Sequence, residues 1–274
     1  MRLEARLHRD GEAKMEQPIN TLAEDNSISG QVLRKILAAV FDARYGPGFR
    51  LPAERELAGQ LGASRVSVRQ ALQRLRQYGV IMIKQGSGAV VQPQRMWTAG
   101  VITHLLQHLL EKAQFERMFP VISDAFAVRR QLLLDVVRRA AGRLAAGDLD
   151  PARTQLKATW QLRDDIYRFA ISDREVINRA LEIAGLRASM WTLNALSEPY
   201  LGLVGMVSAF ATLRIPESYV PAHLAVFAAQ EAGDGETAYR RMKSFMDELD
   251  LAIVASLPAE LGEIPPEVLG IQTE

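Results

Sequence analysis

Apolar and polar positions between Phe49 and Val91 change period twice, and the changes predict a compact series of elements. Leu51, Leu57, Ala58 and Leu61 recur at helical spacing after Pro52, a residue suited to a first helical turn. Gly62 interrupts that period. Ser64 can then cap a second helix, in which Val68, Ala71, Leu72 and Leu75 follow an i, i+3, i+4, i+7 rhythm until Gly79. Two β-prone runs, Val80–Ile83 and Ala89–Val91, flank the turn-forming stretch Gln85-Gly86-Ser87-Gly88. Helix, turn, helix and hairpin make a winged helix-turn-helix. Upstream, Ser27 or Ser29 can cap a helix carrying Ile28, Val32, Ile36, Leu37, Val40 and Phe41, and Phe49–Leu51 can add a short strand to the wing.

Past Gln92-Pro93-Gln94-Arg95 the strand signals cease and only amphipathic helices follow. The apolar rhythm predicts Trp97–Ala113, Pro120–Ala146, Pro151–Ile171, Arg174–Leu196, Pro199–Leu213, Pro216–Ala232 and Gly235–Ser256. Ser172 with Glu175 resembles a capping box, and Gly147 and Gly233 resemble stops. The expected organisation is a mobile extension over 1–27, an α+β winged domain over 28–92, a hinge over 93–98, an all-α bundle of about seven helices over 99–258, and an irregular tail over 259–274. Met15 offers an alternative start.

Composition alters this picture in two respects. The chain has no cysteine, which removes disulfides, thiol nucleophiles and thiolate metal sites. Its net charge of +1 conceals an asymmetry: between Ile28 and Arg95 eleven basic residues face three acidic ones, a net of +8. Concentrated positive charge on the winged segment is the electrostatic footprint expected of phosphate binding. Neither a signal-peptide pattern nor a run of about 18 apolar residues is present, so a cytoplasmic location is expected.

The second helix of the winged segment has a chemistry to match. Arg65, Arg69, Gln73 and Arg76 lie off its apolar face, and a major groove admits a helix of this kind. Arginine is well shaped to pair with guanine O6 and N7, while further cations take phosphates. The sequences LPAERELA, SRVSVRQALQRL and QGSGAVV, in this order and spacing, resemble the DNA-binding domain of the GntR superfamily of bacterial transcription regulators. The resemblance covers about 60 residues. It implies operator contacts from Arg55, Arg65 and Arg69, and entry of the wing tip, Gln85 and Gly86, into the minor groove. Ser64, Ser67 and Gln73 complete the expected DNA-binding set.

The bundle resembles the all-α effector domains of the FadR subfamily of that superfamily, on helix number, on Val128-Arg129-Arg130, and on His223 followed by Gly233-Asp234. Such domains dimerise and bind a small metabolite. Many relatives hold a divalent metal through Asp-x-x-x-His and two further histidines. Carried over, those positions fall on Asp164, Arg168 and His223, with Phe245 last and no histidine between 190 and 220. Arginine and phenylalanine cannot ligate, so no metal is expected. The departure points to the acyl-CoA-binding type of domain, without a cofactor. Arg129, Asp164, Arg168, Trp191, Asn194, Tyr219 and His223 are the candidate effector contacts. A small organic or sugar acid, or a bundle serving dimerisation alone, are the alternatives. Against catalysis stand the lack of a nucleotide loop, of Gly-x-Ser-x-Gly and of His-Glu-x-x-His. The expected protein is thus a homodimer on near-palindromic operator DNA, controlled by a small molecule.

Overall fold

The structure, a computed structural model, describes residues 27–84, 88–208 and 214–256. Two compact units divide between Thr98 and Ala99. The first opens with α1 (Ile28–Phe41), capped by Ser27, whose hydroxyl accepts from the Gly30 N–H at 3.0 Å. The helix-turn-helix pair follows as α2 (Glu54–Leu61) and α3 (Arg65–Gln77). Ser64 caps α3, accepting from the Ser67 N–H at 3.1 Å. Val32, Leu33, Ile36 and Leu37 of α1 and Val68, Ala71 and Leu75 of α3 are buried, and the two helices pack together. Each such aliphatic side chain contributes about 1.5–3 kcal/mol when fully removed from water.

The hairpin pairs β1 (Ile81–Lys84) antiparallel with β2 (Gly88–Val91), in register from Ile81↔Val91 to Lys84↔Gly88. The expected third strand is reduced to one bridge, Arg50↔Val90, held by Leu51 N–H to Ala89 O and Val91 N–H to Phe49 O, both 2.9 Å. Gly79 has φ +71°, and a Cβ there would meet the Met96 carbonyl oxygen at 2.1 Å. Only glycine fits so close an approach. Residues 93–98 are ordered against this unit: a 3₁₀ turn spans Gln94–Met96, the Trp97 ring packs tilted against Phe41 with centroids 6.0 Å apart, and the Thr98 N–H donates to Tyr78 O at 2.9 Å.

The second unit holds a 3₁₀ turn (Ala99–Val101) and seven α-helices among the described residues: α4 (Ile102–Glu111), α5 (Phe115–Ala140), α6 (Asp150–Trp160), α7 (Ile166–Ile183), α8 (Arg187–Ser208), α9 (Tyr219–Glu231) and α10 (Gly235–Ser256). The fold class therefore agrees with the sequence expectation, but several helix ends do not. Ser172 does not cap a helix; it lies inside α7, where its hydroxyl sits 2.6 Å from Thr159 Oγ1 and accepts from Gln155 Nε2. The cap is Asp165, which accepts from the Arg168 N–H at 3.0 Å. Gly185, with φ +69°, ends α7, and α8 then runs unbroken through Pro199. Pro120 is likewise internal to α5, near its N-terminal end. The core gathers Leu133, Leu134, Val137, Leu156, Val176, Leu181, Tyr219 and Phe245 from five helices. A smaller cluster, Leu106, Leu109 and Met118, joins α4 to the start of α5.

Candidate functional sites: a reading helix and a bundle cavity

On α3 the burial pattern separates two chemistries. Val68, Ala71, Leu72 and Leu75 face the core, while Arg65, Arg69 and Gln73 are exposed and Ser67 is half-buried beside the Ser64 cap. Arg55, in the first turn of α2, is also exposed. Val66 is 65% exposed next to Arg65, an apolar side chain left in water at the start of the helix. Arg69 is paired with Glu54: Nη2 donates to Oε2 at 3.0 Å, and Nε donates to the same oxygen at 3.2 Å. That pairing raises the guanidinium above its ordinary range. Gln85 and Gly86 lie outside the described residues.

Inside the bundle a cavity of ≈ 80 Å³ is walled mostly by hydrocarbon from α5, α7, α9 and α10. Four polar residues reach it: Arg129, Asp173, Tyr219 and His223. Tyr219 is the hub. Its ring stacks on Trp160 at 6.0 Å, meets Phe169, His223 and Phe245 at 4.8, 4.4 and 5.7 Å, and its hydroxyl donates to Asp173 Oδ1 at 2.8 Å. His223 is fully enclosed, and burial lowers its pKa. Its Nδ1 lies 2.7 Å from the Tyr219 carbonyl oxygen, which can only accept. A neutral ring then carries its proton on Nδ1, leaving Nε2 an acceptor.

The cavity takes three of the seven expected effector residues, Arg129, Tyr219 and His223. Asp164 and Arg168 are exposed, in the α6–α7 turn and the first turn of α7, and do not line it. The correction is one of register. The acid facing the cavity is Asp173, and the residue four positions on is Ile177, also in the wall. Trp191 is 63% exposed on α8, and Asn194 holds a buried Oδ1 with no hydrogen-bond partner among the described residues, away from this cavity. Metal ligation fits this donor set poorly. Asp173 and His223 are the wall's one carboxylate and one imidazole, Arg129 is cationic, and hydrocarbon neighbours such as Ile177 and Phe245 have no lone pair to offer. Among the described residues no three His, Cys, Asp or Glu side chains gather to hold a metal.

A second cavity, ≈ 440 Å³, opens among the Ala99–Val101 turn, α4, α5 and α8. Phe126 and Arg129 line both cavities. No described helix is long and apolar enough to cross a membrane.

Comparison with known proteins bears on both regions. Residues 28–91 match the family of bacterial regulatory proteins of gntR type, and residues 124–248 match the FCD domain. An uncharacterized HTH-type transcriptional regulator of Mycobacterium tuberculosis is 39% identical over 30% of this chain and 34% of its own length. The fatty acid metabolism regulator protein of Vibrio cholerae serotype O1 is 33% identical over 39% of this chain and 37% of its own. The chain thus spans only about a third of the length of these two relatives. An Escherichia coli K12 protein named for regulation of the L-lactate dehydrogenase operon is 26% identical over 80% of this chain and 83% of its own. Among solved structures, one of Lar, described as controlling the Listeria monocytogenes agr system, has a TM-score of 0.53 at 16% identity, covering 83% of this chain and 97% of that one. It supports the fold alone.

Proposed function

We propose that this chain, whose residues 28–91 match the gntR family of bacterial regulatory proteins and whose residues 124–248 match the FCD domain, is a homodimeric, operator-binding regulator whose DNA affinity is set by a small organic acid in the bundle. The observation that carries the DNA reading is α3 itself, buried on Val68, Ala71, Leu72 and Leu75 and exposed on Arg65, Arg69 and Gln73. Two such heads related by a two-fold axis read a near-palindromic site in successive major grooves. Arg65 and Arg55 contribute base or phosphate contacts, and the wing, with Gln85 and Gly86, approaches the minor groove.

For the effector, the ≈ 80 Å³ cavity favours a small molecule over a whole acyl-CoA. A single water needs roughly 10–15 Å³, so the space suits a ligand of a few heavy atoms. Arg129 supplies a cation for a carboxylate, and neutral His223 offers an acceptor for a hydroxyl. The name of the E. coli relative, tied to lactate metabolism, is in keeping with a hydroxy acid. An acyl ligand is the second reading, favoured by the ≈ 440 Å³ cavity that shares Phe126 and Arg129 with the first, and by the Vibrio relative's name. In either case ligand and DNA are coupled only as far as the ligand binds the two states unequally.

Titration of labelled operator, with and without a panel of small hydroxy acids and acyl-CoAs, tests both halves. Arg65→Ala is expected to weaken operator binding by about 1–3 kcal/mol and to relax base preference. Unchanged affinity would remove Arg65 from base reading. Release of DNA by long-chain acyl-CoA and by none of the small acids would overturn the small-acid assignment.

A further inference from the structure

Glu54 stands at the first turn of α2, fifteen residues before Arg69 in sequence, yet it grips Arg69 along one edge of the guanidinium. Nε donates to Oε2 at 3.2 Å and more weakly to Oε1 at 3.4 Å, and Nη2 donates to Oε2 at 3.0 Å. An arginine has five N–H donors in a rigid fork. The carboxylate takes those of the Nε side. The opposite edge, formed by Nη1 and the second proton of Nη2, is left for another partner, on a side chain 63% exposed. That edge has the spacing of guanine O6 and N7. Arg55 and Arg65 make no ion pair among the described residues, so within the reading surface this pairing distinguishes Arg69 from its neighbours.

We propose that Glu54 is a positioning residue for sequence recognition: it holds Arg69 edge-on so that the free edge meets a guanine and the side chain does not swing to a phosphate. The inference rests on the reading of α3 as the DNA-reading helix. Two consequences of the pairing give it a signature. Fixing the side chain before docking lowers the freedom lost on binding, which favours the one geometry already adopted. Neutralising the guanidinium locally also reduces its pull on any phosphate, whatever the sequence. Glu54 therefore trades non-specific attraction for discrimination. A pair of this kind on an exposed surface adds little to stability, so its removal is expected to leave the domain folded.

The test uses the full-length chain and an operator fragment selected from a random duplex pool on the wild-type protein. Binding is measured to that fragment, to fragments with each base pair replaced in turn, and to non-specific duplex over a range of salt. Glu54→Gln is expected to lose about threefold to tenfold of base discrimination at one position per half-site, the same position affected by Arg69→Ala. Non-specific affinity should hold or rise, with the salt dependence steeper by up to about one phosphate contact. In the Arg69→Ala background, Glu54→Gln should add nothing to the base profile. Glu54→Ala, which cannot accept at all, should behave as Glu54→Gln or more strongly. A wild-type base profile in both Glu54 variants, with Arg69→Ala still defective, would overturn the positioning role and leave the reading helix standing. Wild-type operator binding in both Arg65→Ala and Arg69→Ala would remove the reading helix and the proposal together.

Discussion

The DNA-binding head and the effector bundle are both mostly helical, yet they are specified in different ways. In the head, the elements are ended locally: Ser27 and Ser64 cap by their own hydroxyls, and Gly79 fits where no side chain can. In the bundle, polar side chains tie one helix to another over long sequence separations. Arg153 of α6 binds Glu231 of α9 at 2.6 Å, and the same carboxylate accepts the Leu149 N–H at 3.0 Å. Arg130 of α5, 7% exposed, pairs with Asp247 and Asp250 of α10. The contrast teaches that punctuation built into neighbouring residues can be read from a sequence, whereas punctuation supplied by a distant partner cannot.

The sharpest way to break this comparison is Gly79→Val. A β-branched residue at φ +71°, with its Cβ 2.1 Å from the Met96 carbonyl oxygen, should cost the head about 3 kcal/mol or more. Calorimetry should show the head's transition falling while the bundle's stays in place. A matched loss in both would mean that the two regions do not melt separately.

A smaller effect is expected from Glu231→Ala, which strips α9 of its ties to Arg153 and to the Leu149 N–H, at about 2 kcal/mol. Arg153 holds the Glu231 carboxyl below its usual range. The stabilisation is therefore complete above the unfolded value near about 4.3 and is lost as pH falls through the depressed folded value. Denaturant unfolding at neutral pH and again in acid should show the deficit of the variant shrinking in acid.

The smallest effect is a balance of two groups in the bundle. His223 is kept neutral by burial, so below about pH 6.5 the unfolded chain takes the proton first and stability falls. Asp250 is pushed up to about 6 by burial, against the pull of Arg130, so the folded state takes a proton that the unfolded chain refuses, and stability rises on acidification. Between pH 6.5 and 5 the two act in opposite directions. His223→Gln should leave a bundle that gains about 1 kcal/mol over that interval, and Asp250→Asn one that loses stability over it. Parallel pH curves for the two variants would contradict the opposed assignments.

Most of the head was legible. Apolar period, the Ser64 cap and the Gly62 break all act within a few residues of where they are written. The number of bundle helices was legible too, because helical apolar runs separated by polar or turn-forming residues survive in most of them. Their ends were less so. Ser172 has the spacing of a capping residue but spends its hydroxyl on α6, and Pro120 and Pro199, ordinarily helix starts, lie within helices. The cavity suffered from the same cause. Asp164 and Asp173 have equally plausible downstream neighbours in sequence, and only the packing of α7 against α9 turns Asp173 toward Tyr219. The role of Glu54 is hidden in the sequence because its partner is fifteen residues away, and an acidic first turn reads as ordinary helix electrostatics.

The ordered segment after the wing bears on how such regulators can be recombined. Residues 93–98 read as a spacer, but Trp97 covers Phe41, Met96 closes over Gly79 and Thr98 is stitched to Tyr78. They are the last course of masonry in the head, not the mortar after it. A transplant that ends at Gln92 would expose Phe41 and leave the Tyr78 carbonyl unmet, whereas one that ends at Thr98 carries a finished module. The portable unit, for an engineer or for a recombining genome, is longer than its wing.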